Sequence, residues 1–202
     1  MPQMMYNKHN EAADLYDGCD DYHCGKSFIR IVYKREEIDM KKGMTRREHE
    51  VTDRNEIVDI LSKCKVVHLG LMDGDEPYVV AMNYGFTMED EKLTLYLHGA
   101  VQGKKLDLIQ ENPKVFFEME CDVVPFQGKI ACQYGTSYAS VMGKGKAEIL
   151  TDIEDKKKGL SIFMKTQTGK DFEFEDKMVS IVSVIRIQVS EYTAKRRPMP
   201  VL

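Results

Sequence analysis

The sequence has no long hydrophobic run, no excess of one charge sign and no even set of cysteines. Its 202 residues carry 29 basic and 33 acidic side chains, a formal net charge of −4. This near-balance argues against nucleic acid or an anionic membrane as a partner. No apolar run is long enough to cross a membrane, and no apolar signal segment opens the chain. We therefore expect a cytoplasmic protein that binds neither nucleic acid nor membrane.

The five cysteines do not predict a disulfide framework, because their number is odd and three lie in or beside apolar runs. Cys19 and Cys24 flank two aspartates and a histidine, but no second cysteine pair follows at the spacing of a zinc site. We expect reduced thiols and no bound metal.

Alternation of apolar and polar residues predicts six strands, and spacings of three and four predict helices between them. The strands are expected over residues 66–72, 78–86, 93–98, 115–120, 138–150 and 178–189, and the helices near 53–63, 104–109 and 153–165. Residues 121–136 and 166–176 are expected to be loops, and 191–202 a polar, basic tail.

The order of these elements indicates a mainly β (α+β) fold. Short turns, such as the one at residues 73–77, join most strands, and no Gly-x-Gly-x-x-Gly turn follows a strand. These features disfavour a Rossmann fold and favour a six-stranded antiparallel Greek-key barrel with flanking helices. Residues 1 to about 27 show no clean period, and residues 28–33 are expected to form a short strand or an arm that docks on a partner subunit. Residues 1–43 together are expected to form an N-terminal extension, so the domain covers residues 44–202.

One strand–turn–helix stretch combines a histidine, two glycines and two lysines. The strand at 93–98 ends at His98, Gly99 and Gly103 form the turn, and Lys104 and Lys105 begin the helix. A helix N-terminus offers unpaired N–H groups, and two ammonium groups beside it suit a phosphate. The alternative is an ordinary turn with two solvated lysines.

The order of the motifs resembles the FMN-binding split-barrel proteins related to pyridoxamine 5′-phosphate oxidase, and within them the Nim-type branch associated with nitroimidazole resistance. The resemblance covers roughly residues 44–197 and rests on five motifs in sequence. They are DGDEPY (73–78), VVAMNYGF (79–86), LYLHGA with GKK (95–105), NP (112–113) and YASVMGKG (138–145).

The resemblance implies a homodimer with an FMN at each of two sites between the subunits. Carried over residue by residue, it places one strand along the edge of the flavin ring, a strand end beneath the ring and ribityl phosphate, two lysines on the phosphate, and a further strand that completes the pocket. The corresponding residues are Val80, Ala81, Met82 and Asn83; His98 and Gly99; Lys104 and Lys105; and Tyr138 and Ser140.

The implied activity is transfer of electrons through FMN to a small organic acceptor, with nitroaromatics as the acceptor class of the Nim branch. His98 is the candidate catalytic residue, because imidazole can exchange a proton near neutral pH. The alternative is a split-barrel protein that binds flavin or haem without turnover, since His98 is also a residue type that ligates haem iron.

Overall fold

The computed structural model describes residues 46–200, so the predicted N-terminal extension lies outside the described residues. These residues contain seven strands: β1 (Glu50–Val51), β2 (Val66–Asp73), β3 (Glu76–Glu89), β4 (Lys92–Gly99), β5 (Lys114–Phe126), β6 (Gly135–Ile149) and β7 (Ser183–Arg197). The α-helices are α1 (Arg54–Lys63), α2 (Lys104–Glu111), α3 (Ile153–Thr168) and α4 (Asp176–Ser180), and short 3₁₀ turns lie at Arg47–His49 and Ala131–Gln133. No helix among residues 46–200 is long and apolar enough to cross a membrane.

Six of the strands close into a barrel, which confirms the predicted fold class. Their order is β7-β4-β3-β2-β5-β6, and β6 pairs again with β7 to complete the ring. Every pairing is antiparallel. The two-residue β1 adds to the outside of β7 and is too short to leave an alternating pattern in the sequence.

The turns and the first helix follow from local chemistry. The carboxylate of Asp53 accepts a hydrogen bond of 2.9 Å from the backbone N–H of Glu56 and caps α1. Gly74, with φ of 64°, allows the tight turn between β2 and β3. Asp90 and Glu91 both have positive φ in the two-residue turn before β4.

The barrel interior is filled by the apolar half of each alternating strand. The inward residues of β4 are fully or almost fully buried, and apolar faces of α1 and α2 join the same core. The phenol of Tyr84 on β3 donates a hydrogen bond of 2.7 Å to the carbonyl of Leu61, which ties β3 to the end of α1. Because this contact is buried, it fixes where α1 meets the barrel.

The largest differences from the predicted boundaries lie in β5, β7 and α3. Strand β5 continues past Cys121 through a bulge in which Asp122 has φ of 55°, so much of the predicted loop at 121–136 is strand. Strand β7 runs to Arg197 and includes half of the predicted tail. A short helix occupies the predicted start of β7, and α3 extends to Thr168.

Helix α3 lies on the outer face of β3 and β4, and two glycines let it approach closely. A Cβ on Gly85 would lie 2.4 Å from the Cα of Phe163, and one on Gly159 would lie 3.0 Å from the Tyr96 ring. The end of α3 is also bonded to β3, since the amide of Gln167 donates to the carbonyl of Tyr84 at 2.7 Å. The position of α3 is therefore set by backbone contact.

Candidate functional site

The barrel is open along part of one seam. Strand β3 pairs with β2 from residue 76 to residue 83, but its pairing with β4 begins only at Tyr84, opposite Leu97. The edge of β3 over residues 76–83 therefore pairs with no second strand among the described residues. Its outward N–H and C=O groups are available to a ligand, because backbone polar groups need a partner or water. This opening, between β3 and the end of β4, is called the seam below.

His98 lies at the inner end of the seam. It follows Leu97, so in the register of the two strands it stands beside Asn83, the first residue of β3 that has no partner on β4. The His98 ring meets the ring of Phe163 edge-to-face, with centroids 4.5 Å apart and an interplanar angle of 73°. Burial lowers the pKa of His98, although part of the ring still reaches solvent. The imidazole is therefore neutral at pH 7 and keeps one N–H to donate.

Lys105 reaches back across the turn that follows β4. An added Cβ on Gly99 would lie 3.2 Å from both Cε and Nζ of Lys105, so the missing side chain leaves a notch that this ammonium group occupies. Within residues 46–200, Lys105 forms no ion pair. Helix α2 begins directly after Gly103, whose φ is 140°, and no side chain caps the first N–H groups of the helix. The Lys105 ammonium, which has no acidic partner within residues 46–200, thus lies close to the uncapped N-terminus of α2.

Lys104 is in a different position from its neighbour. Its ammonium forms an ion pair with the carboxylate of Asp73 at the end of β2, and it lies 5.2 Å from the centre of the Tyr78 ring. The hydrogen bond to Asp73 and its charge raise the pKa of Lys104. The sequence predicts two equivalent phosphate ligands, whereas the structure shows that one of the two charges is already matched by a carboxylate.

The four predicted residues of β3 face alternate sides of the sheet. Val80 and Met82 pack against the barrel core, so only their backbone groups can meet a ligand at the seam. Ala81 and Asn83 are exposed on the outer face. The amide of Asn83 donates a hydrogen bond of 2.9 Å to the carbonyl of Lys65, which leaves its side-chain oxygen as the remaining acceptor.

Tyr138 and Ser140 are not brought together with the other predicted site residues. Both lie on β6, which pairs with β5 and β7, whereas β3 stands three places away around the ring of six strands. On one barrel they therefore lie on a strand that pairs with neither β3 nor β4. Ser140 is buried and Tyr138 is half-buried.

The structure also assembles a cluster that the sequence reading missed. Donor atoms of His68, Glu118 and Glu120 lie within 4.8 Å of one another on the outer face of β2 and β5, a distance compatible with one metal ion. The His68 Nδ1 lies 3.4 Å from a carboxylate oxygen of Glu118 and 3.6 Å from one of Glu120. Burial and the proximity of Glu120 raise the pKa of Glu118. The cluster neighbours the seam, since His68 is the cross-strand partner of Ala81.

Similar solved structures come from several bacteria. A protein of Bacteroides thetaiotaomicron provisionally assigned to 5-nitroimidazole antibiotic resistance is 30% identical over 73% of this chain and 86% of its own, with a TM-score of 0.63. The flavocytochrome Anf3 of Azotobacter vinelandii is 20% identical, covering 79% of this chain and 74% of its own, with a TM-score of 0.64. A FAD and haem binding protein of Mycobacterium smegmatis is 14% identical, covering 76% of each chain, with a TM-score of 0.65.

The last two likenesses show a shared fold. No sequence among the curated proteins matches this chain. The model of the pyridoxamine 5′-phosphate oxidase family matches residues 53–196, which contain the whole six-stranded barrel, apart from the last residue of β7, and the seam. With this match and the 30% identity to the Bacteroides protein, the chain belongs to the pyridoxamine 5′-phosphate oxidase family.

Proposed function

We propose that this protein is an FMN-dependent oxidoreductase that passes electrons to a small organic acceptor. The observation that carries the proposal is the seam, where a neutral histidine lies close to a strand edge and a lysine that both lack a partner within residues 46–200. A flavin supplies the electron transfer when it is bound, while the protein binds, orients and tunes it.

The seam suits the ring of a flavin because both have hydrogen-bonding edges. The pyrimidine edge of an isoalloxazine needs donors and acceptors, and both are offered by those alternate residues of Val80, Ala81 and Met82 whose backbone groups point away from β2. Ala81 contributes only a methyl group to the outer face, so a flat ring can approach the strand at this position. Family membership, together with relatives described as flavin or FAD proteins, supports this choice of ligand.

Lys105 suits the phosphate of FMN better than Lys104 does. Its ammonium has no carboxylate partner among the described residues and lies beside the uncapped start of α2. A phosphate there would gain one charge-assisted hydrogen bond and the field of the helix start. To bind a phosphate, Lys104 would first have to break or share its ion pair with Asp73. We therefore propose Lys105 as the main phosphate ligand and Lys104 as a secondary one.

His98 is proposed as the proton-exchanging residue. Because burial keeps its imidazole neutral at pH 7, it can donate its N–H to a reduced ring or to an acceptor stacked on it. The alternative role of His98 as a haem ligand is supported by its partial exposure at the open seam. This is the second candidate function: a flavin- or haem-binding protein without turnover.

A homodimer with the flavin between its subunits would bring the predicted residues together. Tyr138 and Ser140 of one copy would complete the seam of the other, since in their own barrel they lie on β6, which pairs with neither β3 nor β4. We propose a cytoplasmic location as well, supported by the free thiols of Cys64, Cys121 and Cys132.

A spectrum and a turnover assay test the cofactor and the activity. The full chain, purified and reconstituted with FMN, is expected to show flavin absorbance, to be reduced by a nicotinamide donor and to reduce a nitroimidazole under anaerobic conditions. The Bacteroides relative supports nitroimidazoles as the first acceptors to try. A Soret band without flavin absorbance would replace FMN by haem, and bound flavin without turnover would favour the binding protein.

Mixing two variants with weakened FMN binding tests the shared site. Lys105→Met changes α2 and Ser140→Tyr changes β6, so a heterodimer of the two retains one intact site if the subunits share it. FMN binding by the mixture that is about tenfold tighter than that of either parent is the expected result. If the mixture binds no more FMN than its parents although hybrids form, the site is not shared between subunits.

A further inference from the structure

Phe163 is buried, and its ring packs against His98 at one edge of the site. It lies on α3 with 6% of its surface exposed, and its main chain rests against Gly85 of β3. Because this backbone contact leaves no space for an added Cβ, α3 cannot slide along β3 without a clash. The position of the Phe163 ring relative to β4 is thereby fixed by main-chain packing.

The ring of Phe163 touches one functional side chain. Its centroid lies 4.5 Å from that of His98 at 73°, the edge-to-face geometry in which the positive edge of one ring meets the negative face of the other. This contact restricts the rotamer of His98 and covers part of its ring. The rest of the side chain is exposed to solvent.

The charged groups on neighbouring elements do not set the pKa of His98. The elements around it carry Tyr96 on β4, Arg186 on β7, Asp155 on α3 and Lys105 on α2, and none of them contributes to lowering its pKa. Burial lowers the pKa of His98, and within the described part of the chain the ring of Phe163 meets the imidazole edge-to-face.

We propose that Phe163 is a positioning residue for His98: it holds the imidazole in one orientation beside the edge of β3 that lacks a partner strand, and it covers one part of the ring while the rest stays exposed to solvent. The role of His98 in turnover belongs to the function proposed above, so the positioning is tested first without flavin. An imidazole held in this way would offer its N–H to a ligand at the seam without first losing rotamer freedom.

The test follows the ring protons of His98 by NMR in the flavin-free full chain, with His98→Gln identifying its signals among the five histidines. Phe163→Leu is expected to remove the ring-current shift of these protons and to raise the pKa of His98 towards its ordinary value. Phe172→Leu makes the same change at an exposed phenylalanine beyond α3 and is expected to leave both readings unchanged. Phe163→Met replaces the leucine variant if the latter does not fold, since methionine fills similar volume without a ring.

In the reconstituted protein, Phe163→Leu is expected to lower kcat by roughly twofold to tenfold, the range that an aromatic pair of ordinary strength corresponds to, with KM for the donor unchanged. A folded Phe163→Leu protein with an unaltered His98 pKa and unaltered ring shifts would overturn the proposal. So would altered shifts combined with an unchanged kcat. A wild-type protein that binds no flavin would instead overturn the proposed function, while the NMR result would still decide what Phe163 does to His98.

Discussion

Exchanging Lys105 for methionine tests the two-lysine site at the point where sequence and structure differ. The sequence treats Lys104 and Lys105 as a pair, but the structure gives them different surroundings. Lys105 lies in the notch at Gly99 without an acidic partner among residues 46–200, whereas Lys104 is paired with Asp73. Lys105→Met should therefore weaken FMN binding much more than Lys104→Met.

The size of the Lys105 effect follows from its surroundings. A hydrogen bond between charged groups contributes about 1.5–3 kcal/mol. Because Lys105 is only half-buried, solvent screens its charge and the lower end of that range applies. A loss of about 1.4 kcal/mol corresponds to about tenfold in Kd. The Lys104 ammonium is exposed and already matched by a carboxylate, so its removal is expected to change Kd little.

The assay titrates flavin-free protein with FMN and with riboflavin and follows the quenching of flavin fluorescence. Riboflavin lacks the phosphate, so Lys105→Met should leave its Kd unchanged while raising that of FMN. Asp73→Asn is a further control: it frees Lys104 and is expected to tighten FMN binding. The reasoning is refuted if Lys104→Met costs as much as Lys105→Met, or if Lys105→Met weakens riboflavin and FMN equally.

Three further changes test the packing and charge of the fold. Gly85→Ala forces a methyl group against the main chain of α3 and should lower the free energy of unfolding by about 1–3 kcal/mol in urea titrations, or more if α3 cannot move. Tyr84→Phe leaves the buried carbonyl of Leu61 without its donor and should lower the same quantity by about 1–3 kcal/mol; an unchanged midpoint would mean that water replaces the phenol. Burial and Glu120 raise the pKa of Glu118, so the folded protein holds a proton that the unfolded chain releases, and wild-type stability falls as pH rises from the ordinary carboxyl pKa through the raised one. Glu118→Gln should therefore gain in Tm over the wild type between pH 4 and pH 8, and a constant difference would contradict this sign.

The barrel was predictable because its strands alternate. Leu93, Leu95 and Leu97 are all buried, as their spacing indicates, and the glycines of β6 lie where another strand approaches closely. An added Cβ on Gly143 or Gly145 would lie within 2.4 Å of a carbonyl oxygen of β7. The local pattern is enough to predict such features, because alternation of apolar and polar residues indicates that one face of the strand is buried.

The extension of β5 was not predictable from the same pattern. Asp122 takes a positive φ, after which the exposed Val123 and Val124 break the alternation of β5. A bulge of this kind depends on the partner strand, here β6, with which the register shifts between Cys121 and Val124. Nothing within the segment itself distinguishes such a bulge from a loop.

The site was predictable in its residue types but not in its pairings. The ion pair between Lys104 and Asp73 joins a hairpin to a helix start that lies about thirty residues away, and Asp73 reads locally as a turn residue. The contact between His98 and Phe163 depends on where α3 crosses the barrel, which Gly85 decides. Such contacts arise only after the elements have packed, so their partners cannot be read from spacing.

The incomplete pairing of β3 has a consequence for handling the protein. An extended edge with unsatisfied amide groups is a template on which any other extended chain can add by hydrogen bonding. Pro77 lacks an N–H and interrupts that edge at one end, whereas the exposed Val79 adds an apolar side chain that favours association. Preparations stripped of ligand should therefore self-associate faster on storage than loaded ones, and occupancy of the barrel's open side would act as protection against aggregation.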